Sequence, residues 1–228
     1  MTKSSLFVVF LAACGINAIE IFVSPSGSDS ATGTQTAPLK SIQSAVDKAV
    51  PGDTIYLRAG TYSPTKNIQI QKSGSSSNRY TLSAYNNDQV IIDGEELPYT
   101  PAPVGGSIPA ADRGILHIEK ANYWTFKGII LINGPYGVYM SDSSNNIFDQ
   151  IITHDNYETG FQMQGSSSNN QVLWLDSYRN RDPRKNGESA DGFACKEGQG
   201  DGNILRGARL WENVDDGLDL WQVFLQTI

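Results

Sequence analysis

Gly137-Val138-Tyr139-Met140, Gly160-Phe161-Gln162-Met163, Gly192-Phe193-Ala194-Cys195 and Gly217-Leu218-Asp219-Leu220 repeat one pattern, and Gly114 marks an earlier instance. The glycines recur about every two dozen residues, with one interval lengthened by an insertion. Asn146, Asn170 and Asn203 share a second position of the repeat, and Asn156, Asn180 and Asn213 a third. A period of this length, with short strands and recurrent turn residues, belongs to a solenoid in which each coil stacks on the one before. Asparagines at equivalent turns can then hydrogen-bond in a ladder along the stack. The expected fold class is all-β, a right-handed parallel β-helix.

Strand periodicity assigns directions to the columns. Val138, Phe161, Phe193 and Leu218 follow the glycine, and Met140, Met163, Cys195 and Leu220 stand two residues further on. Side chains alternate faces along a strand, so both apolar columns are expected inside the coil. Cys195 then reads as a packed core thiol. Tyr139, Gln162, Ala194 and Asp219 lie between them and are expected to face outward. His154, Tyr178 and Trp211 form another outward column, read as rings stacking from coil to coil, with a sugar platform as the other reading.

Upstream of the repeat the pattern changes. Phe22 to Asp29 reads as an extended lead-in ending in a turn. Leu39, Ile42, Ala45, Val46 and Ala49 fall at helical spacing after Pro38, and Pro51-Gly52-Asp53 ends the run. A helix there would cap the open end of the stack, an edge that otherwise invites aggregation. Thr54–Leu57, Tyr80–Tyr85 and Val90–Gly94 read as strands, and Glu95 to Asp112 as a Pro- and Gly-rich surface loop.

The first 18 residues have the form of an export signal: Lys3, an apolar run from Leu6 to Ala13, and small Ala18. The run is too short for a transmembrane segment. Leu11-Ala12-Ala13-Cys14 also fits a lipidation box, so secretion and a lipid anchor at Cys14 are both readings of this segment. Either places the domain, residues 19–228, outside the cytoplasm. Cys195 would be its one remaining cysteine, so stacking rather than a disulfide must hold it together.

Charge limits the partners. The formal net charge is −7 and charged residues are only 18% of the 228. The charge argues against nucleic acid as a partner, and an acidic polymer would need a bridging cation.

The column just before the repeat glycine offers ligands for one. It reads Tyr136, Thr159, Asp191 and Asp216. The two aspartates therefore sit one above the other, separated by about 4.8 Å along the stack. Asp215 and outward-facing Asp219 complete a group of four. Carboxylates this close repel one another unless compensated, and Ca²⁺, which takes six to eight oxygen ligands, is the fitting cation. His117 and His154 lie on different coils and make no zinc set.

These residues carry a family resemblance. Ser189-Ala190-Asp191-Gly192-Phe193-Ala194-Cys195-Lys196, followed by Trp211-Glu212-Asn213-Val214-Asp215-Asp216-Gly217-Leu218-Asp219-Leu220-Trp221, resembles the core of the family 9 pectate lyases. The lead-in from Phe22 to Tyr62 is similar to that family's N-terminal coils. The resemblance implies calcium-dependent β-elimination of polygalacturonate, with Asp191, Asp215, Asp216 and Asp219 as calcium ligands. It implies a monomer for a complete chain.

It also implies a lysine base a few tens of residues past the calcium motif, a chain position beyond Ile228. Further C-terminal coils and a cap are accordingly expected to be missing. Lys196 is the candidate base within the sequence, with an ion pair to the acidic cluster as its other reading. Arg181, Arg184 and Lys185 in the insertion read either as a solvated loop or as contacts to a polyuronate. Two further readings stand beside the lyase: a non-catalytic β-helix that binds acidic polysaccharide, and an enzyme, lyase or epimerase, acting on another uronate polymer.

Overall fold

The computed structural model describes residues 18–198 and 200–221. The export-signal segment before Ala18 and the tail from Gln222 lie outside the described residues.

Three parallel sheets wrap around one core. The first contains Ile68–Ile70, Leu116–Glu119, Val138–Ser141, Phe161–Gln164, Phe193–Lys196 and Leu218–Asp219 in stacking order. The second begins with Glu20–Val23 and ends with Ile204–Arg206, and the third runs from Gly60–Tyr62 to Arg209–Trp211. Every pairing is between the same strand of successive coils: Phe161 lies opposite Val138 and Phe193, and Phe193 opposite Leu218. This is the register read from the sequence repeat, and the fold is a parallel β-helix.

The recurring glycines are explained by close approach. A Cβ added to Gly160 would lie 2.1 Å from Ser177 Oγ, inside any permissible contact. Between the second and third sheets the chain turns a corner on one left-handed residue per coil: Gly128, Gln150, Trp174 and Gly207, with φ between 56° and 68°.

Inside, Val138, Met140, Phe161, Met163, Phe193 and Cys195 join one continuous apolar core, as the alternation requires. Its aromatic members stack along the axis, Phe126 on Phe148 at 4.7 Å and Phe161 on Phe193 at 5.3 Å. Burial pushes the Cys195 thiol up to about 11, so it stays protonated and packs as an apolar group. Leu218 and Leu220 lie on the expected columns but are 47% and 55% exposed, because no described strand covers them.

Both asparagine ladders form. Asn146 N donates to Asn170 Oδ1 at 2.9 Å, and Asn170 N to Asn203 Oδ1 at 3.0 Å. In the other ladder Asn156 Nδ2 donates to Asn180 Oδ1 at 3.0 Å, and Asn180 Nδ2 to Asn213 Oδ1 at 2.8 Å. These side chains satisfy turn amides that the sheets cannot reach.

The helix is shorter than its periodic stretch, Ile42–Lys48, because Ser41 caps it by accepting from Ser44 N. Ile42, Ala45 and Val46 enter the core from its N-terminal end. The strands Gly60–Tyr62 and Ile68–Ile70 were not evident from the sequence, being only three residues long. The loop from Glu95 holds one 3₁₀ turn at Ala110–Asp112.

One expectation is corrected. Tyr139, Gln162 and Ala194 point away from the main core yet are buried. Arg113, next to the loop, lies over the Tyr139 ring at 5.5 Å, and His117 stacks on the same ring at 5.4 Å. Period-two alternation sets the direction of a side chain but says nothing of what later folds over it. His154, Tyr178 and Trp211 do stack, at 4.7 and 4.2 Å with nearly parallel planes. Both faces of Tyr178 are thereby covered by its neighbours, while Trp211 at the end of the stack is exposed.

Candidate metal centre

The column before the repeat glycine is a backbone ladder. Gly137 N donates to Thr159 O, Gly160 N to Asp191 O at 2.9 Å, and Gly192 N to Asp216 O at 2.8 Å. Parallel pairing thus places Thr159, Asp191 and Asp216 on three successive coils. Asp215 and Asp216 follow the turn that Asn213 fixes through the ladder from Asn180, and Val214 N donates to Asn180 O at 3.0 Å.

Asp191, Asp215 and Asp216 each bring a carboxylate oxygen into one cluster, these oxygens lying within 4.8 Å of one another. Asp191 is fully buried while the other two are exposed. Its Oδ2 accepts from Thr159 Oγ1 at 3.0 Å and from Lys196 Nζ at 3.1 Å, whereas buried Oδ1 has no hydrogen-bond partner. A buried carboxylate oxygen left without a donor is costly. A hard cation coordinated from the solvent side would satisfy it, and an all-oxygen set of this charge fits Ca²⁺.

Electrostatics agree. Burial holds the Asp191 carboxyl above the ordinary carboxylate range, against the opposing pull of Lys196 and Thr159. Asp215 is raised as well, by burial first and then by the charges of Asp191 and Asp216. At both aspartates burial, helped by repulsion from neighbouring carboxylates, outweighs the opposing charge of Lys196.

Asp219 lies outside the three-carboxylate cluster. It is bound to Lys196, whose Nζ is 2.5 Å from Asp219 Oδ2. Lys196 therefore spans Asp191 and Asp219. Burial would depress its pKa, but the hydrogen bonds and charges of the two aspartates outweigh that and raise it. A lysine so held keeps its proton, the opposite of what a base requires.

The insertion residues divide. Arg184 is buried, ion-paired with Glu158, and its guanidinium also donates to Gly106 O. Its charge is met within the protein, by the Glu158 carboxylate and the Gly106 carbonyl. Arg181 donates to Asp155 O at 3.0 Å and lies 4.6 Å over the Tyr157 ring, partly exposed. Lys185 is exposed. The sequence reading missed Thr159 and Glu158 as partners. Thr159 stands in the same column as Asp191 and was findable there, whereas the path of the insertion that brings Arg184 to Glu158 follows no repeat.

Comparison with known proteins agrees with the fold. The sequence profile described as Pel9A-like, right-handed β-helix region matches residues 21–228. A protein of Emericella nidulans named pectate lyase PEL9 is 66% identical over 221 residues, 97% of this chain and 54% of that protein. Pectate lyase L of Dickeya chrysanthemi is 35% identical over 209 residues, 88% of this chain and 46% of that one. The crystal structure of pectate lyase Pel9A superposes with a TM-score of 0.76 at 33% identity, covering 90% of this chain and 51% of that one. The chain spans about half the length of the curated relatives it matches. By the profile match over nearly all its length, the chain belongs to the Pel9A-like right-handed β-helix family.

Proposed function

We propose that this chain carries the cation site of a secreted pectate lyase that cleaves polygalacturonate by β-elimination. The observation that carries the reading is Asp191 Oδ1, buried and without a donor, beside two exposed carboxylates of the next coil. Asp191, Asp215 and Asp216 would hold Ca²⁺, with Asp219 as the fourth ligand assigned from the family resemblance. A cation held there would supply Lewis-acid chemistry, drawing charge from a uronate carboxylate so that the neighbouring C5 proton becomes more acidic.

The chain's own residues prepare the site. Thr159 engages one oxygen of Asp191 and so leaves the other for coordination. The Asn180–Asn213 ladder fixes the turn that presents Asp215 and Asp216. Lys196 offsets part of the negative charge from the side of Asp219. Exposed Lys185 and partly exposed Arg181 are the insertion residues we assign to the polymer's carboxylates, with Lys185 the better placed by its exposure.

Polygalacturonate incubated with the chain lengthened by the coils that the resemblance implies, their base lysine included, should gain the ultraviolet absorbance of unsaturated uronate ends in calcium but not in EDTA. Asp216→Asn should abolish the gain. Equal rates in EDTA, or in the variant, would defeat the reading. One observation favours a second reading, a non-catalytic binder of acidic polysaccharide: Lys196, the candidate base, is held protonated by two carboxylates. Calcium-dependent retention on polygalacturonate with no absorbance gain is the signature of that case.

A further inference from the structure

The insertion between the coils of Gly160 and Gly192 ends directly in Asp191, so whatever fixes the insertion also fixes the buried carboxylate. Asp182 makes its first turn, its Oδ1 accepting from Lys185 N at 3.1 Å and its backbone carbonyl from Gly187 N at 2.7 Å. Ala190 N donates to Gly187 O at 3.1 Å. Gly187 in turn lies against Val214 so closely that a Cβ would come within 2.4 Å of its side chain. The insertion therefore packs on the turn that carries Asp215 and Asp216.

Its anchor is Arg184. The guanidinium is buried and pairs with Glu158, itself buried and adjacent in sequence to Thr159. The same guanidinium donates to Gly106 O, and Gly105 N donates to Arg184 O at 3.2 Å. One side chain thus ties three segments remote in sequence: the turn holding Thr159, the loop after Glu95, and the insertion. Thr159 Oγ1 reaches both Ser189 O at 2.9 Å and Asp191 Oδ2 at 3.0 Å, so the first and third of these meet again at the carboxylate.

We propose that Arg184 is a positioning residue for the cation site, holding Asp191 in register with Asp215 and Asp216 through Glu158 and Thr159. The proposal rests on the reading of the acidic cluster as a calcium site. Side chains beyond the ligands that orient them typically contribute about 10–100-fold to metal affinity. Arg184 contributes in this way without touching the ion. Lysine in its place keeps the charge beside Glu158 but has no planar fork to reach Gly106 as well.

Calcium affinity by isothermal titration, together with unfolding midpoints, tests this in four chains: wild type, Arg184→Lys, Arg184→Gln, and the uncharged double variant Glu158→Gln/Arg184→Gln. The double variant removes the buried lone charge that makes Arg184→Gln prone to misfold. We expect affinity to fall about tenfold or more in Arg184→Gln and in the double variant, and less in Arg184→Lys. The double variant should regain stability without regaining affinity. Folded variants that lose stability but bind calcium as wild type does would show a merely structural role and overturn the proposal. An Arg184→Gln chain that does not fold leaves the double variant to decide by the same criterion. A wild-type chain that binds no calcium would overturn the cation reading and this proposal together, which separates that failure from unchanged affinity in the variants.

Discussion

Lys196 and Asp191 are in contact, Nζ to Oδ2 at 3.1 Å, although they lie on one strand and its preceding turn. The contact uses the oxygen of Asp191 that Thr159 also binds, and leaves the other oxygen to the acidic cluster. Lys196 is thus a counter-charge at the border of the site. Lys196→Met should cost the calcium-free chain about 1–3 kcal/mol, since Asp191 and Asp219 lose their shared partner. Calcium affinity should hold or rise, because a competing positive charge is gone. Denaturant midpoints and titration calorimetry on the same samples check both. A large fall in affinity would show that Lys196 organises the ligands.

Phe161 is fully buried between Phe148 at 4.8 Å and Phe193 at 5.3 Å. Phe161→Ala should destabilise the chain by about 3–5 kcal/mol through a cavity that neighbouring coils cannot close. Gln162→Ala, one residue on, should cost less, as Gln162 lies outside the continuous core and its Nε2 bonds to Gln164. Equal urea midpoints for the two variants would contradict the assignment of faces.

Asn180 is buried, and its side chain makes four hydrogen bonds, three of them along the ladder. Its amide group donates to Ser177 Oγ and Asn213 Oδ1, and its Oδ1 accepts from Asn156 N and Nδ2. Asn180→Ala strands groups on both neighbouring coils and should cost about 2–4 kcal/mol, on the scale of one to two unsatisfied buried polar groups. Asn203→Ala, at the margin of the other ladder and less buried, should cost less. The ranking can be read from thermal unfolding of the two variants.

The pH dependence follows from the raised carboxyls of Asp191 and Asp215. Unfolded aspartate titrates near pH 3.9, so above about pH 4 the folded calcium-free chain binds more protons than the unfolded chain. Its stability should fall as pH rises through that window to the raised folded values. Calcium binds the deprotonated carboxylates, so the stability it adds should grow with pH over the same range. Urea midpoints at several pH values, with EDTA and with calcium, test this. Asp191→Asn/Asp215→Asn should make the EDTA series shallower, leaving the slope due to buried Asp182, whose carboxyl burial also raises. An EDTA series that stays steep in the double variant would place the titrating groups elsewhere.

Much of this was legible in the sequence because a solenoid writes its register into the chain. Gly160 and Gly192 recur because only glycine fits against the adjacent coil, and Asn156, Asn180 and Asn213 recur because each caps the next. From those marks the sheet register and the stacking of Asp191 on Asp216 followed directly. The column also contained Thr159, whose role needed only a neighbour to bind. What did not repeat could not be read. The insertion carries Arg184 into the interior, and the segment before Gly114 covers Tyr139; both are tertiary events with no local period. Asp219 aligned with the acidic cluster, yet its carboxylate binds Lys196, a choice made by side-chain charge rather than by register.

The central claim is that Asp191, Asp215 and Asp216 form a cation site. Isothermal titration of calcium into the folded, EDTA-stripped chain tests it most directly, alongside Asp216→Asn. The account predicts one saturable site in the wild type and at least a tenfold loss of affinity in the variant, the cost of removing one charged ligand being on the order of 1.4 kcal/mol or more. No saturable heat in the wild type, or the same affinity in Asp216→Asn, would contradict it.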